Sequence, residues 1–523
     1  MGGAATSDAA LGTYGGVYAK RNGIQRKRPV MGWCSWYYTY TGVSQDEVLL
    51  NARFVAEHLK DFGVDVIQID DGYQRGFGDW EGNEQFPNGM GWLAEQIRGL
   101  GLRPGIWVAP YVVDGDSVIT REHPEWLGRG LDGGAKRSRN RGTINQGRGD
   151  YTLDVTHPEA RAWLYDLFHR IGPEWGYELV KLDFVEFSLL AIDRYHDPAI
   201  GRAGAYRQGL RTIRDAIGPE RHILDCGPLT AAGIADSWRI ERDFDWLTWR
   251  QYTKERNSTA PAIAKRYYLH NHLWSNDPDH LGLGLLTEDQ GRAVASIIAL
   301  SGGTVISGDR LYALPESKLA ILRSVLPVYG EAAVPLDLFE TDFPALFHLR
   351  IERSFGAWEI LGLFNWSETA GTRHTVPLAR LGLDPGRAYF AHEFWDQRLV
   401  PVVDGAITVD LAPASCAVIA IRPLRDQPDV AGTDRHVLQG AVELADLRWD
   451  ASDRKLSGVL NAVARTHPTL TLSVPTNLRP IIATVDGVAL PFGQLRNGLL
   501  PIVIPTPRTG LQEWSITFDE VSE

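Results

Sequence analysis

The sequence predicts a (β/α)8 TIM barrel followed by C-terminal antiparallel β-sandwich domains, and three observations lead there. Between residue 30 and about residue 330, short apolar runs alternate with longer stretches of helical periodicity. Eight such runs fit in about 300 residues, the number and span of a closed barrel of parallel strands. Beyond about residue 335 the runs sit close together with short turns between them, the pattern of antiparallel sheets. An open doubly wound sheet is the competing architecture. It would place a glycine-rich phosphate loop after the first strand, where this chain has Trp33-Cys34-Ser35-Trp36.

In chain order, residues 1–29 read as a leader. The first ten are small and polar and lack the basic and apolar segments of a secretory signal. Met1-Gly2-Gly3-Ala4-Ala5-Thr6 fits a loose myristoylation pattern and reads instead as disordered chain. The catalytic barrel is assigned to 30–332. Its strand-like runs are 30–37, 64–70, 102–109, 179–184, 222–226, 237–241, 267–274 and 304–307. Helical stretches fall at 44–60, 90–99, 158–170, 203–217, 288–300 and 316–328. Two starts carry capping signals. Ser44-Gln45-Asp46-Glu47 has the capping-box form, and Thr156-His157-Pro158-Glu159 puts Pro and an acid in a first turn. Runs at 346–351, 358–364, 388–394, 407–411 and 416–421 make a β-sandwich over 333–424. The Pro-, Asp- and Gly-rich stretch 425–435 reads as a linker that opens a second β-rich domain, 425–523.

Composition narrows the partners. A length of 523 residues holds two or three domains. A net charge of −12 repels phosphate backbones, which argues against nucleic acid. No apolar stretch reaches the roughly 18–20 residues of a membrane-spanning helix. The three cysteines lie far apart, without the spacing of a zinc site or a disulfide framework, so the expected setting is a reducing cytoplasm. The 17 tryptophans can stack on sugar rings or simply fill a large barrel, so their positions must decide.

A barrel builds its active site at the C-terminal ends of its strands. Carboxylates, two cations and several Trp converge there. Lys181 and Asp183 alternate around Leu182, so they share the inward face of strand four. A lysine beside an inward aspartate lowers its pKa and keeps it ionised, as a nucleophile requires; a buried structural ion pair fits the same spacing. Asp243 follows Arg239 two βα units later and can supply the second carboxylate that glycoside hydrolysis needs. It also belongs to an acidic group with Glu241 and Asp245 that solvation alone explains. Asp70-Asp71 fits a metal site, hydrogen bonding to sugar hydroxyls, or a turn cap. His270 and His272 alternate on the seventh run, which leaves a metal open in principle, but no further ligands cluster with them and no metal is expected. Trp36 and Trp107 stand at strand ends as sugar platforms or as rim packing. Cys226 has no histidine at a matching strand end, so it reads as a small polar wall rather than a nucleophile.

Several motifs together resemble the α-galactosidases of glycoside hydrolase family 36, whose clan includes family 27 and the raffinose synthases. They are Gly32-Trp33-Cys34-Ser35-Trp36, Ile69-Asp70-Asp71-Gly72-Tyr73, Gly78-Asp79-Trp80, Gly105-Ile106-Trp107, Val180-Lys181-Leu182-Asp183-Phe184, Arg239-Ile240-Glu241-Arg242-Asp243 and Trp274-Ser275-Asn276-Asp277-Pro278-Asp279. They span roughly 30–330 in the family's order. The resemblance implies Asp183 as nucleophile and Asp243 as acid/base. It implies Asp70 and Asp71 as ligands of the sugar O4 and O6, and Trp36 and Trp107 as pocket walls. Lys181 and Arg239 become sugar-binding partners, and Cys226 lies near the 2-position. The implied activity is retaining, exo-acting hydrolysis of terminal α-D-galactosyl residues from an oligosaccharide or glycoside, without a cofactor.

Transfer of galactose to a sugar acceptor, cleavage of α-N-acetylgalactosaminides, and sugar binding on an inactive barrel are the alternatives. The sequence departs from the pattern in two places. Many family members carry a large β-sandwich before the barrel, whereas here the first strand opens near residue 30, and a homo-oligomer is left open. The strand-five loop reads Cys226-Gly227-Pro228-Leu229 rather than the glycine-rich form of many bacterial enzymes.

Overall fold

The structure, a computed structural model, describes residues 7–137, 150–187, 191–227, 231–240, 243, 248–253 and 258–521. Eight parallel strands carry the first part of the chain: β1 (Met31–Cys34), β2 (Val66–Ile69), β3 (Arg103–Val108), β4 (Leu179–Leu182), β5 (His222–Asp225), β6 (Ser237–Arg239), β7 (Ser275–Asp277) and β8 (Val305–Ser307). They run in the sheet order β7-β6-β5-β4-β3-β2-β1-β8. Nearly every strand residue is buried, as expected for parallel strands covered on both faces. The helices are α1 (Ser7–Asn22), α2 (Gln45–His58), α3 (Met90–Gly99), α4 (Pro158–His169), α5 (Arg202–Ile217), α6 (Thr259–Arg266), α7 (Glu288–Leu300) and α8 (Glu316–Ser324). Ser44 caps α2 by accepting from the Glu47 N–H.

The seventh strand departs from the sequence expectation. Residues 267–274 form a short 3-10 turn and a loop, so His270 and His272 do not alternate on a strand. The strand itself is the polar triplet Ser275–Asp277, and it breaks at Pro278-Asp279, where Asp279 takes φ +69. The chain then resumes as His280–Leu281 and pairs with β8. The ring closes through this second piece and through the Thr304 N–H, which donates to the Asn276 carbonyl at 2.9 Å.

Two other expectations change. Residues 7–22 of the leader are a helix, packed through Gly15 against His272 and Tyr268; the Met1–Thr6 motif lies outside the described residues. The expected linker contains a buried strand, Asp429–Thr433, paired with Thr469–Ser473. Its Pro, Asp and Gly content gave a turn signal, but Val430 joins a core and Ala431 is buried as well.

After the barrel, a mixed-length antiparallel sheet built on Leu346–Arg353, Gly356–Asn365, Ser415–Pro423 and Tyr389–Glu393 faces a small sheet of Thr372–Pro377, Ala406–Leu411 and Val402–Val403. Two further antiparallel sheets follow between Asp429 and Glu520. The first sandwich shares its core with the barrel. Phe347, Trp358, Ile360 and Val418 belong to the same apolar cluster as the α7 residues Ile297 and Ile298. The second sandwich has a separate core around Leu456, Leu472, Trp514 and Phe518. Among the described residues no helix is long and apolar enough to cross a membrane.

Candidate active site

The ends of β1 to β7 deliver the parts of the site. From β2, Asp70 and Asp71 are both buried. Gly72 makes their turn: it takes φ +114, and a Cβ there would stand 2.5 Å from Thr41 Cα. The Asp70 Oδ2 accepts from Lys181 Nζ at 2.8 Å, Gln68 Nε2 at 3.0 Å and Cys34 Sγ at 3.3 Å, while Oδ1 accepts from the Asp71 N–H. Asp71 is held by Gln74 Nε2 at 2.5 Å, and burial pushes its carboxyl up to about 7.

The Lys181 ammonium therefore belongs to Asp70, not to its strand neighbour. Burial works against its charge, but the Asp70 carboxylate holds its pKa well above the usual lysine range. This corrects the expectation for Asp183. Its pKa is raised, first by burial and then by the Asp243 charge, and Lys181 only partly offsets them. Asp183 is held instead by two donors: Trp107 Nε1 reaches Oδ2 at 3.0 Å, and the Phe184 N–H reaches Oδ1 at 2.7 Å. Phe184 turns its amide back by adopting φ +48, a conformation that costs energy for a residue with a Cβ.

Trp107 is thus a hydrogen-bond donor to the carboxylate as well as a wall. Phe77 and Trp80 back it, each with its ring centre 6.1 Å away. Trp36 stays half-buried at its strand end and meets Tyr40 edge-on at 5.3 Å. Cys226 lies beside β5, and burial raises its thiol pKa well above the usual value. Glu186, three residues past Asp183, is a further acidic neighbour. Burial and the charges of Asp183 and Asp243 lift it to about 6.

Arg239, at the end of β6, is buried and spans three carboxylates. Nε donates to Asp277 Oδ2 at 3.0 Å, Nη2 meets Asp279 Oδ1 at 2.9 Å, and Nη1 donates to Asp243 Oδ1 at 2.6 Å. Asp243 is half exposed, at 50 %, against 3 % for Arg239. Glu241, Asp245, Pro228 and Leu229 lie outside the described residues.

Sequence reasoning did not assign roles to Gln68, Gln74, Cys34 and Tyr37. Gln68 had a readable signal, a polar residue alternating with Asp70 inside an apolar strand. Gln74 acts across a turn, and Tyr37 reaches Asp279 from a distant part of the chain, so no periodicity guides the eye.

A barrel rim that gathers buried, donor-held carboxylates beside tryptophans has the parts that glycoside hydrolysis needs. Residues 14–210 match the family described as Melibiase. The α-galactosidase AgaA of Geobacillus stearothermophilus is 35% identical over 109 residues, which cover 19% of this chain and 14% of that enzyme. The Thermus thermophilus α-galactosidase solved with stachyose is 31% identical, covering 59% of this chain and 68% of that one, with a TM-score of 0.46. A family 27 β-L-arabinopyranosidase from Geobacillus stearothermophilus, 20% identical, shares the fold at a TM-score of 0.60, covering 81% of this chain and 100% of that one. Over part of its length the chain is similar to α-galactosidases of the glycoside hydrolases, with families 36 and 27 not separated.

Proposed function

We propose that the chain is a retaining, exo-acting α-galactosidase that releases terminal α-D-galactosyl residues from oligosaccharides or glycosides. One observation carries the reading. Carboxylates from strand ends β4 and β6 stand near enough that the Asp243 charge raises the Asp183 pKa; Asp183 is held by Trp107 and the Phe184 N–H, and Asp243 by Arg239.

In the first step an Asp183 oxygen attacks the anomeric carbon. The bond to the aglycone oxygen breaks, and that oxygen takes the proton of Asp243. In the second step Asp243 takes a proton from water. The water oxygen attacks the same carbon, and Asp183 leaves as carboxylate. Trp107 and the Phe184 N–H stabilise the negative charge on Asp183 before attack and after release. Asp70 and Asp71 accept hydrogen bonds from the O4 and O6 hydroxyls. Lys181 and Gln74 hold these two carboxylates in place. Trp36 and Trp107 bound the ring, Lys181 and Arg239 complete the polar wall, and Cys226 faces the 2-position. The chemistry calls for no cofactor. Three free cysteines fit a reducing, cytoplasmic setting.

The test is a panel of p-nitrophenyl glycosides differing at C2, C4 and C6, including the α-N-acetylgalactosaminide and the β-L-arabinopyranoside, with sucrose added to detect transfer. Turnover of the α-galactoside to free galactose is expected, with Asp183→Ala slower by about 10³-fold or more. Azide should rescue that variant and give the β-galactosyl azide. An Asp183→Ala enzyme that keeps near-native turnover overturns the assignment.

A further inference from the structure

Asp243 presents a mechanical problem. Its carboxylate is half exposed, and an exposed aspartate on its own samples several rotamers. A proton donor must instead meet one oxygen in one geometry, since small misplacements are costly in rate. Its anchor is Arg239, whose planar guanidinium orients a partner only if its own plane is fixed.

That plane is fixed from behind. Asp277 accepts from Nε at 3.0 Å, Asp279 Oδ1 lies 2.9 Å from Nη2 as an ion pair, and both are buried. Asp277 is itself anchored, because its Oδ1 accepts from Thr304 Oγ1 at 2.6 Å and from the Asp279 N–H at 3.2 Å. Asp279 gives Oδ1 to Arg239, while its Oδ2 accepts from the Tyr37 hydroxyl at 2.6 Å. Tyr37 follows Trp36 directly in the chain, and its ring rests edge-on against His280 at 4.4 Å. The cluster holds three carboxylates against one guanidinium, so Asp279 depends on its hydroxyl donor to keep a fixed orientation. Burial lifting Asp279 to about 7 fits a carboxylate short of positive partners.

We propose that Tyr37 and Asp279 are positioning residues that hold the proton donor Asp243 in register through Arg239, linking the strand end that carries Trp36 to the protonation of the leaving group. The proposal rests on the reading of Asp243 as acid/base.

Acid catalysis matters in proportion to the basicity of the leaving group. The test therefore compares kcat/KM for melibiose, whose leaving group is a sugar hydroxyl, with that for 2,4-dinitrophenyl α-galactoside, whose leaving group departs without a proton. The full chain is measured as wild type, Tyr37→Phe, Asp279→Asn and Asp243→Ala, with thermal midpoints recorded alongside. Tyr37→Phe keeps the ring and removes one hydroxyl. It should lower kcat/KM for melibiose by about 10-fold, and for the dinitrophenyl substrate by less than about 2-fold. Asp279→Asn should show the same selectivity with a larger loss.

Equal losses on both substrates, or no loss in Tyr37→Phe, overturn the proposal. If Asp243→Ala itself loses both substrates alike, the acid/base assignment falls and takes the proposal with it. If Asp243→Ala discriminates and Tyr37→Phe does not, the coupling alone is wrong.

Discussion

In the proposed mechanism the Asp183 carboxylate sets the pH behaviour of the first chemical step. It must be ionised to attack, and in the free protein its proton is held more tightly than an ordinary aspartate's by burial and by Asp243. The acid limb of kcat/KM should therefore rise at a pH above the ordinary aspartate value of about 3.9. A profile already flat at pH 5, with its limb near that ordinary value, would contradict this. Trp107 works in the opposite sense, because its indole N–H favours the charged form. Trp107→Phe keeps most of the aromatic wall and removes that donor. The acid limb should move to still higher pH and kcat should fall by about 10-fold. An unchanged limb would show that the hydrogen bond does not persist in solution. The carboxylates themselves were legible in the sequence, because inward strand ends of a barrel are few and acids there stand out. Their pairing was not legible. Lys181 lies two residues from Asp183, but its ammonium reaches over β3 to Asp70 at the end of β2, a pairing that only the sheet order brings about.

Among the elements, β7 shows where pattern reading stops. The run 267–274 has the aromatic and apolar content of a strand, whereas the real strand is Ser275-Asn276-Asp277. Asp277 is buried because it serves the Arg239 network, and the Asn276 carbonyl takes the Thr304 N–H at the seam with β8, so hydrophobic periodicity passes over this strand. Helices with one apolar face were readable almost to the residue. Met90–Gly99 and Glu288–Leu300 match their predicted limits. The seam also yields a test. A Cβ on Gly303 would overlap the Asn276 carbonyl, which accepts from Thr304. Gly303→Ala should cost about 1–3 kcal/mol and lower the thermal midpoint by more than about 2 °C. A midpoint within about 1 °C of wild type would show that the closure is looser than described.

At the scale of the whole molecule, the barrel and the first sandwich are one folding problem. Ser296 on α7 accepts from Trp395 Nε1 at 3.0 Å, Arg292 lies 5.6 Å over the same indole, and the apolar cluster runs through both parts. The second sandwich keeps its own core. Calorimetry should show the barrel and first sandwich melting together, with the second sandwich able to melt as a separate transition. A barrel fragment ending near residue 332 should expose its α7 face and fail to fold stably; a soluble, cooperatively melting fragment would refute the shared core. The order of modules was readable from the change in spacing near residue 335. Their dependence on each other was not, because the residues that join them look like ordinary core positions in either part.

The break at Pro278-Asp279 makes the barrel a hoop with a clasp, and Arg239 is its pin. The guanidinium holds Asp277 on one side of the break and Asp279 on the other, and its third edge holds Asp243. Any loosening of the hoop is therefore transmitted straight to Asp243, the proposed proton donor. On gradual warming, turnover of substrates with poor leaving groups should fade while circular dichroism still reports a folded chain.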